Sequence, residues 1–448
     1  MGGLIQLDIE EIYKTPNPSI ENEYDIIVHT KDDDIGISMI ESIEIMRDYN
    51  TNLADYVVVN FSMGAGDFVK ELQPNRDNAE ISIIRVTKDE DIVTRYKLIL
   101  LNNHGGVYSK HYLTKTRDEL NNEETFKIEA QCLPIEMEVM RSTYVNSGIY
   151  TDTTVKDILI TELYQGDQDI TGDNPSTSKS KLVVGSVAKD IEVDIREPHN
   201  DTLYRHVEVP TGVKLVDLPA YLQETSYGVY NGHIGSYLQY MGTDLLFWVY
   251  PLYNSSLFAE SEKKLIIYYP ENDKFDHITN TYKQVGDTLR IIANSDINII
   301  DDGENRLIDT GVGLVQADPN LLLTRNVEVK DEEVIFNSEE HLTGTSAKGR
   351  RDNINRTHYV GNTSNLFKNR SEILKNMMAI YQLTWNYCDI DLLFPGMPVR
   401  YTYEDEKVGI VECDGILQSV YARYNKKTDT TSAILNIAIL KPYMEQGV

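Results

Sequence analysis

Few side chains in this sequence are spaced so that they could do chemistry. Ser62 lies in Asn60-Phe-Ser-Met-Gly64, which has only the second glycine of the Gly-x-Ser-x-Gly elbow. That elbow presents a serine nucleophile on a sharp strand-to-helix turn, and without its first glycine the stretch reads as a simple turn. His233, in Gly232-His-Ile-Gly235, sits in a glycine-rich bend that explains it without a ligand role. Asp167, Asp169, Thr171 and Gly172 match the first half of a calcium loop, but Ser178 occupies the twelfth position, where a bidentate glutamate is needed. Asp389 and Asp391 are spaced to point to one side of a strand, the minimum for an acid and base pair. In so acidic a chain they read instead as a solvated edge.

Neither a Gly-x-x-x-x-Gly-Lys-Ser/Thr phosphate loop nor a His-Glu-x-x-His zinc helix occurs. Cys132, Cys388 and Cys413 are too widely spaced and too few for a disulfide framework or a zinc cluster, and are expected to be small buried hydrophobes. No catalytic, cofactor-binding or metal-ligating residue is therefore assigned, and no cofactor is expected.

Composition narrows the function classes further. The 71 Asp and Glu against 42 Lys and Arg leave a net charge of -29, which repels a phosphate backbone and argues against sequence-specific nucleic-acid binding. The aromatics are skewed, with 29 Tyr against 9 Phe and 2 Trp. Tyrosine suits wet strands and interfaces, because its ring is apolar while its hydroxyl keeps a polar partner. The N-terminal residues lack a basic region followed by an apolar core, and no apolar run approaches about eighteen residues, so neither a secretion signal nor a membrane span is expected. Assembly in a cytoplasm follows. At 448 residues the chain exceeds one core, and domains of roughly 100 to 150 residues are expected.

The elements that would carry any site are mostly strands. Phe126, Ile128, Ala130 and Cys132 alternate with Thr125, Lys127, Glu129 and Gln131, the period of a strand with one buried face. Ile81 and Ile83 about Ser82, and Ile43 and Ile45 about Glu44, repeat this pattern more briefly, and the polar run Thr87 to Asp91 reads as a hairpin loop. Pro134 ends the strand and the period changes. Val155, Ile158, Leu159 and Leu163 share a helical face, with Thr154 and Asp157 at capping-box spacing. Gly166 to Lys181 has almost nothing to bury and reads as a surface loop.

A second helix is expected from Leu218 to about Tyr227 with Asp217 as its N-cap and Pro219 in its first turn. Strands follow at Asp244 to Tyr250 and Lys264 to Tyr269. Residues 300 to 345 read as acidic loops, and Arg350 and Arg351 form a small basic island. Ser371 is placed to cap a third helix carrying Ile373, Leu374, Met377, Met378 and Tyr381. The chain closes as strands, in which Val399, Tyr401 and Tyr403 alternate with Arg400, Thr402 and Glu404. Pro395 and Gly396 can form a tight turn, and Pro398 suits the start of an edge strand, so these three are singled out as a structural turn.

Three stretches carry a resemblance. The passage from the strand ending at Cys132 to Thr153-Thr-Val-Lys-Asp-Ile-Leu-Ile-Thr-Glu-Leu-Tyr164 resembles the step from first barrel to first helix in baseplate hub proteins of contractile-tailed bacteriophages. Val209 to Leu222, followed by Tyr227-Gly-Val-Tyr230 and the strand Asp244 to Tyr250, looks like their middle helix and strand. The runs Phe394 to Tyr403, Gly415 to Tyr424 and Thr431 to Ile439 resemble the last barrel of hubs and of type VI secretion spikes.

The resemblance implies an α+β, mainly β fold, with two tail-tube-like antiparallel β-barrels bracketing a helix-containing middle. It divides the chain into a first tube-like barrel at 1–132, an α+β domain with two amphipathic helices at 133–250, an α+β middle domain with polar loops at 251–383, and a second tube-like barrel at 384–448. It further implies a non-enzymatic homotrimer in the virion tail baseplate, a ring that adapts a hexameric tail tube to a trimeric spike, forms part of the DNA channel and meets baseplate wedge or other tail proteins. The alternatives are a related tail-tip or secretion-spike structural protein, or a phage-borne hydrolase.

Overall fold

The computed structural model describes residues 3–14, 23–31, 33–86, 91–102, 109–163, 181–184, 187–225, 227–253, 257–270, 279–293, 298–301, 313–316, 327–330, 333–336, 339–342, 354–357, 367, 378–405, 409–428 and 430–440. A helix, α1 (Gly3–Lys14), precedes seven strands: β1 (Glu23–His29), β2 (Asp34–Gly36), β3 (Met39–Asp48), β4 (Tyr56–Gly64), β5 (Glu80–Val86), β6 (Asp91–Leu100) and β7 (Thr125–Pro134). Each pairs antiparallel with its neighbours, in the spatial order β3-β4-β7-β6-β5-β1-β2. The alternation in β7 has the consequence expected of it: Ile128, Ala130 and Cys132 are buried, while Lys127 and Glu129 on the other face are exposed. β5 and β6 form a hairpin whose connecting residues 87–90 lie outside the described residues, and Asp91 opens the return strand. Ser62 is not in a turn. It lies inside β4 opposite Lys127, where the run from Tyr56 supplies enough β-branched residues to hold the chain extended.

The middle of the chain folds around its own core. Helix Val155–Leu163 begins with the reciprocal capping expected of it, the Asp157 amide donating to Thr154 Oγ1 and the Thr154 amide to Asp157 Oδ2, and it buries Val155, Ile158, Leu159 and Leu163. Strand β8 (Gly148–Thr153) pairs with β11 (Tyr204–Val209), and β9 (Lys181–Val184), β10 (Val187–Ile195), β12 (Ile234–Met241) and β13 (Asp244–Pro251) make a second sheet. The surface loop expected at 166–181 falls outside the described residues except Lys181, which starts β9, and the calcium-like residues fall outside with it. The second helix runs Leu218–Glu224. Asp217 precedes it without a side-chain cap, because residues Leu215–Asp217 already turn as a 3-10 segment.

The C-terminal half adds β14 (Lys264–Tyr269), β15 (Tyr282–Val285), β16 (Thr288–Ile292) and β17 (Asn298–Asp301). Within residues 300–345, read as loops, come the short strands β18 (Gly313–Gln316), β19 (Val327–Lys330), β20 (Glu333–Phe336) and β21 (Glu339–Leu342), and β22 (Ile354–Thr357) lies beyond them. Then follow β23 (Met378–Asn386), β24 (Pro398–Asp405), β25 (Gly409–Asn425) and β26 (Thr430–Leu440). The basic island and residues Ser371 to Met377 lie outside the described residues. Met378 and Tyr381, placed by their spacing on a third helix, belong to β23 instead. That segment pairs with β26 along its whole length, from Met378 opposite Leu440 to Asn386 opposite Ser432, and tertiary pairing overrides its helical periodicity.

The fold is α+β and mainly β. β14 runs parallel to both β16 and β24. β3 pairs with β25 from Ser42 opposite Asn425 to Asp48 opposite Ser419, so strands from both ends of the chain form one continuous sheet. Among the described residues no ring of strands closes on itself through hydrogen bonds. The N-terminal portion nevertheless curls, because the ring of Tyr24 on β1 lies 4.7 Å from that of Tyr424 on β25.

Central strand β26 offers a direct test. Ile437 is fully buried and pairs with Tyr381 on one side and Leu417 on the other. Ile437→Pro removes a ladder hydrogen bond and leaves its buried acceptor unpaired, so a loss of about 1 to 3 kcal/mol is expected. Chemical unfolding checks it; a variant as stable as the parent would mean that β26 is not a central strand.

Candidate functional site

Charged residues gather where the two ends of the chain meet. Arg47 is on β3, on the face that also carries the buried Ile43, and is itself 2% exposed. Its Nε donates to Asp55 Oδ2 at 3.3 Å, one terminal nitrogen donates to the Ile390 carbonyl at 2.5 Å, and the other donates to Asp391 Oδ1 at 3.4 Å. Arg85 on β5 donates to Asp389 Oδ1 at 3.0 Å and, more closely, to Asp391 Oδ2. Asp389 also caps the 3-10 turn Ile390–Leu392, accepting from the Asp391 amide at 3.2 Å. The other oxygen of Asp55 accepts from the Tyr237 hydroxyl at 3.1 Å.

Two arginines from the N-terminal strands therefore grip one turn near the C-terminus, and a tyrosine from the middle sheet joins them. Asp389 and Asp391 are not a solvated edge. They sit in a turn rather than a strand and are drawn inward, because without them the Arg85 guanidinium on β5 would lack a counter-charge and Arg47 on β3 would have Asp55 alone.

The electrostatics agree with a structural joint. Burial works against the Arg47 charge and is the largest single influence, but Asp55, Tyr49 and Asp391 together overcome it, and the guanidinium is held more firmly charged than usual. Arg85 behaves the same way against Asp389 and Asp391. Burial pushes the Asp55 carboxyl up, and Arg47 and Tyr237 oppose that. Burial likewise raises Asp389, with Arg85 opposing and Asp391 adding to the rise. Asp389 and Asp391 share Arg85 as a counter-ion, so neither faces an open site as a base would.

A second layer of polar contacts extends the joint into the middle sheet. The Tyr49 hydroxyl donates to Gln239 Oε1 at 3.1 Å, and Gln239 Nε2 donates to the Leu393 carbonyl at 2.6 Å. The Tyr250 hydroxyl donates to the Tyr49 carbonyl at 2.7 Å. Next along the chain, the Met397 amide donates to the Phe394 carbonyl at 3.3 Å, closing a turn through Pro395 and Gly396. Gly396 has φ 66, and a Cβ there would lie 2.6 Å from the Tyr250 ring. Pro398 is the first residue of β24 and lies opposite Ile416. The turn thus packs against the same tyrosine that reaches Tyr49, which places Gly396 beside the joint and not at a remote edge.

The other residues considered for chemistry are not brought here. Ser62 is in β4, and His233 has φ 62 at the bend before β12. All three cysteines are buried as free thiols, and burial raises each of them, Cys132 and Cys388 well above the usual thiol range. Among the described residues no three His, Cys, Asp or Glu side chains come together as metal ligands, and no helix is long and apolar enough to cross a membrane.

No protein-family model matches this chain, and no curated protein matches it in sequence. Solved structures do resemble it. It is similar to a prophage MuSo2 tail protein from Shewanella oneidensis at 9% identity and a TM-score of 0.48, covering 92% of this chain and 98% of that one. It is similar to a tail protein from Neisseria meningitidis at 10% identity and a TM-score of 0.46, covering 93% and 96%. It is also similar to an E. coli component of the type VI secretion system, described as resembling T4 bacteriophage tail proteins, at 9% identity and a TM-score of 0.42, covering 93% and 77%.

Removing one member of a buried ion pair leaves the other uncompensated, so Arg47→Met should cost about 3 to 5 kcal/mol. Arg47→Met with Asp55→Asn, which keeps an acceptor for Tyr237, should recover part of that loss. Equal destabilisation of the single and double variants in denaturant titrations would show that Asp55 does not depend on Arg47. Gly396→Ala forces a side chain into the Tyr250 ring at a positive φ, and a loss of about 1 to 3 kcal/mol is expected from overpacking and strain. An unchanged melting temperature would remove the turn from the joint.

Proposed function

We propose that this protein is a structural hub of a phage tail, a ring of three copies that joins a sixfold tail tube to a threefold spike and leaves a channel for DNA. The observation that carries the reading is the edge-to-edge pairing of β3 with β25. It sets a β-rich unit from the beginning of the chain beside one from its end within a single sheet, with the charge cluster locking the two together. A ring of six such units made by three chains needs this joint three times within chains and a comparable joint three times between them. Threefold symmetry then offers a nearly sixfold surface to one neighbour and a threefold surface to the other.

The division into units at 1–132, 133–250, 251–383 and 384–448 belongs to this proposal, with one qualification from pairing. Strands β14, β16 and β23 join those of the last unit, so 251–383 and 384–448 would act as one body in the ring. Tail tube, spike and baseplate wedge or other tail proteins are the partners it calls for, and the virion tail baseplate is its location. No hydrolytic role is assigned, since the clustered carboxylates are committed to arginines.

Sedimentation at several concentrations tests the ring. A trimer is expected, alone or in the presence of its spike. A chain that stays monomeric well above micromolar, with no trimer even beside the spike, would contradict the hub assignment.

A further inference from the structure

Three strands at the β2 end of the long sheet bring together a serine, a histidine and an aspartate that no sequence motif connects. His29 ends β1; Asp34 stands directly across from it on β2, and Ser82 diagonally across on β5. Oδ1 of Asp34 lies 2.6 Å from His29 Nδ1, and the Ser82 hydroxyl lies 2.7 Å from His29 Nε2. A carboxylate can only accept, so in the neutral ring Nδ1 carries the proton. Nε2 is then the bare nitrogen, and it accepts the hydroxyl hydrogen of Ser82.

The three side chains are held from behind. The Thr30 amide donates to the Asp33 carbonyl at 2.9 Å and the Asp33 amide to Thr30 Oγ1 at 3.1 Å, which closes the connection between β1 and β2. Arg117, on the helix Arg117–Glu123, donates to Asp33 Oδ2 at 2.8 Å, and the Asp34 amide donates to Asp33 Oδ1 at 3.0 Å. Ser82 is buried in the middle of its strand, opposite Ile27 on one side and Arg95 on the other. Arg95 runs along the same face to Glu80 at 2.5 Å and is mostly exposed, so a flexible cation stands beside the hydroxyl.

We propose that Ser82, His29 and Asp34 form an acyl-transfer site for small carboxylic esters, with Ser82 as nucleophile, His29 as its base and Asp34 as the positioning residue. The proposal stands apart from the tail reading, and its carboxylate is not one of those held by Arg47 and Arg85. Ser82 Oγ attacks the ester carbonyl carbon while its proton passes to His29 Nε2. Collapse of the adduct breaks the bond to the leaving oxygen, which takes that proton and departs as the alcohol, with the acyl group left on Ser82. Water then attacks the acyl carbon and gives a proton to the same nitrogen, and the carboxylic acid leaves as the serine hydroxyl is restored. The backbone beside Ser82 is committed to the ladders on both sides, so the charge that develops on the ester oxygen falls to Arg95. One mobile cation stabilises that oxygen less than fixed amides do, which restricts the site to esters with good leaving groups.

The test uses the full-length chain, an alkyl fluorophosphonate that bonds to activated serines, and 4-nitrophenyl acetate as the ester. The expected result is an adduct mapped by mass spectrometry to Ser82, with ester turnover blocked once that adduct forms. Ser82→Ala should abolish both, and His29→Gln should slow labelling about 100-fold. Asp34→Asn should slow it too, and Asp34→Glu, which keeps the carboxylate, should recover part of the rate. The parent chain is decisive by itself, so a variant that fails to fold hides nothing. If the folded parent leaves Ser82 unlabelled, or takes the label elsewhere, the proposal is overturned while the tail reading stands. Labelling of Ser82 at the parent rate in a folded His29→Gln chain overturns it as well.

Discussion

A guanidinium taken out of water must meet its counter-charges inside the protein or not be buried at all. Arg47 and Arg85 are that constraint here. Their strands, β3 and β5, belong to the N-terminal sheet, and among the described residues the carboxylates that pair with them besides Asp55 come from the turn at 389–391. Ion pairs of this kind contribute little net stability compared with well-packed apolar residues, but they tolerate few alternative arrangements. The turn is therefore held in one register against β3, and with it the start of β24, the long strand β25 and the sheet that β25 shares with β3.

Tyrosine does the complementary work between cores. Tyr49, Tyr237 and Tyr250 belong to one apolar cluster, and each sends its hydroxyl to a group on another segment: Gln239, Asp55 and the Tyr49 carbonyl. Their rings fill space as phenylalanine would, with Tyr49 and Tyr237 meeting edge to face at 4.9 Å. A polar tip at each seam lets the middle sheet dock on the ends of the chain without leaving buried backbone carbonyls unpaired.

Much of the local structure was legible from periodicity. β7, the hairpin of β5 and β6, the capped helix at 155–163 and the strands around 244–250 and 264–269 follow patterns that depend on near neighbours alone. The cluster was half legible. Ile43 and Ile45 lead by twos to Arg47, and Ile81 and Ile83 lead by twos to Arg85, so both arginines stand at the third inward position of a strand. That placement announces a buried cation. Its partners could not be read, because Asp389 and Asp391 are some 300 residues further on and nothing local distinguishes them from the chain's many other carboxylates. The third helix was misread for a related reason: the apolar spacing of Met378 and Tyr381 suits a helix, and only pairing with β26, far along the chain, makes it a strand.

The junction of β3 with β25 also sets an order of events during synthesis. The Tyr421 hydroxyl bonds Glu44 across 377 positions of sequence, so the outer edge of β3 has no intramolecular partner until nearly the whole chain has left the ribosome. Through that interval an already foldable N-terminal sheet presents unpaired amides and carbonyls, together with the buried side of Arg47, to whatever lies nearby. Contacts of such long range close slowly. Crowded nascent chains of this protein are thus exposed to premature edge pairing with one another.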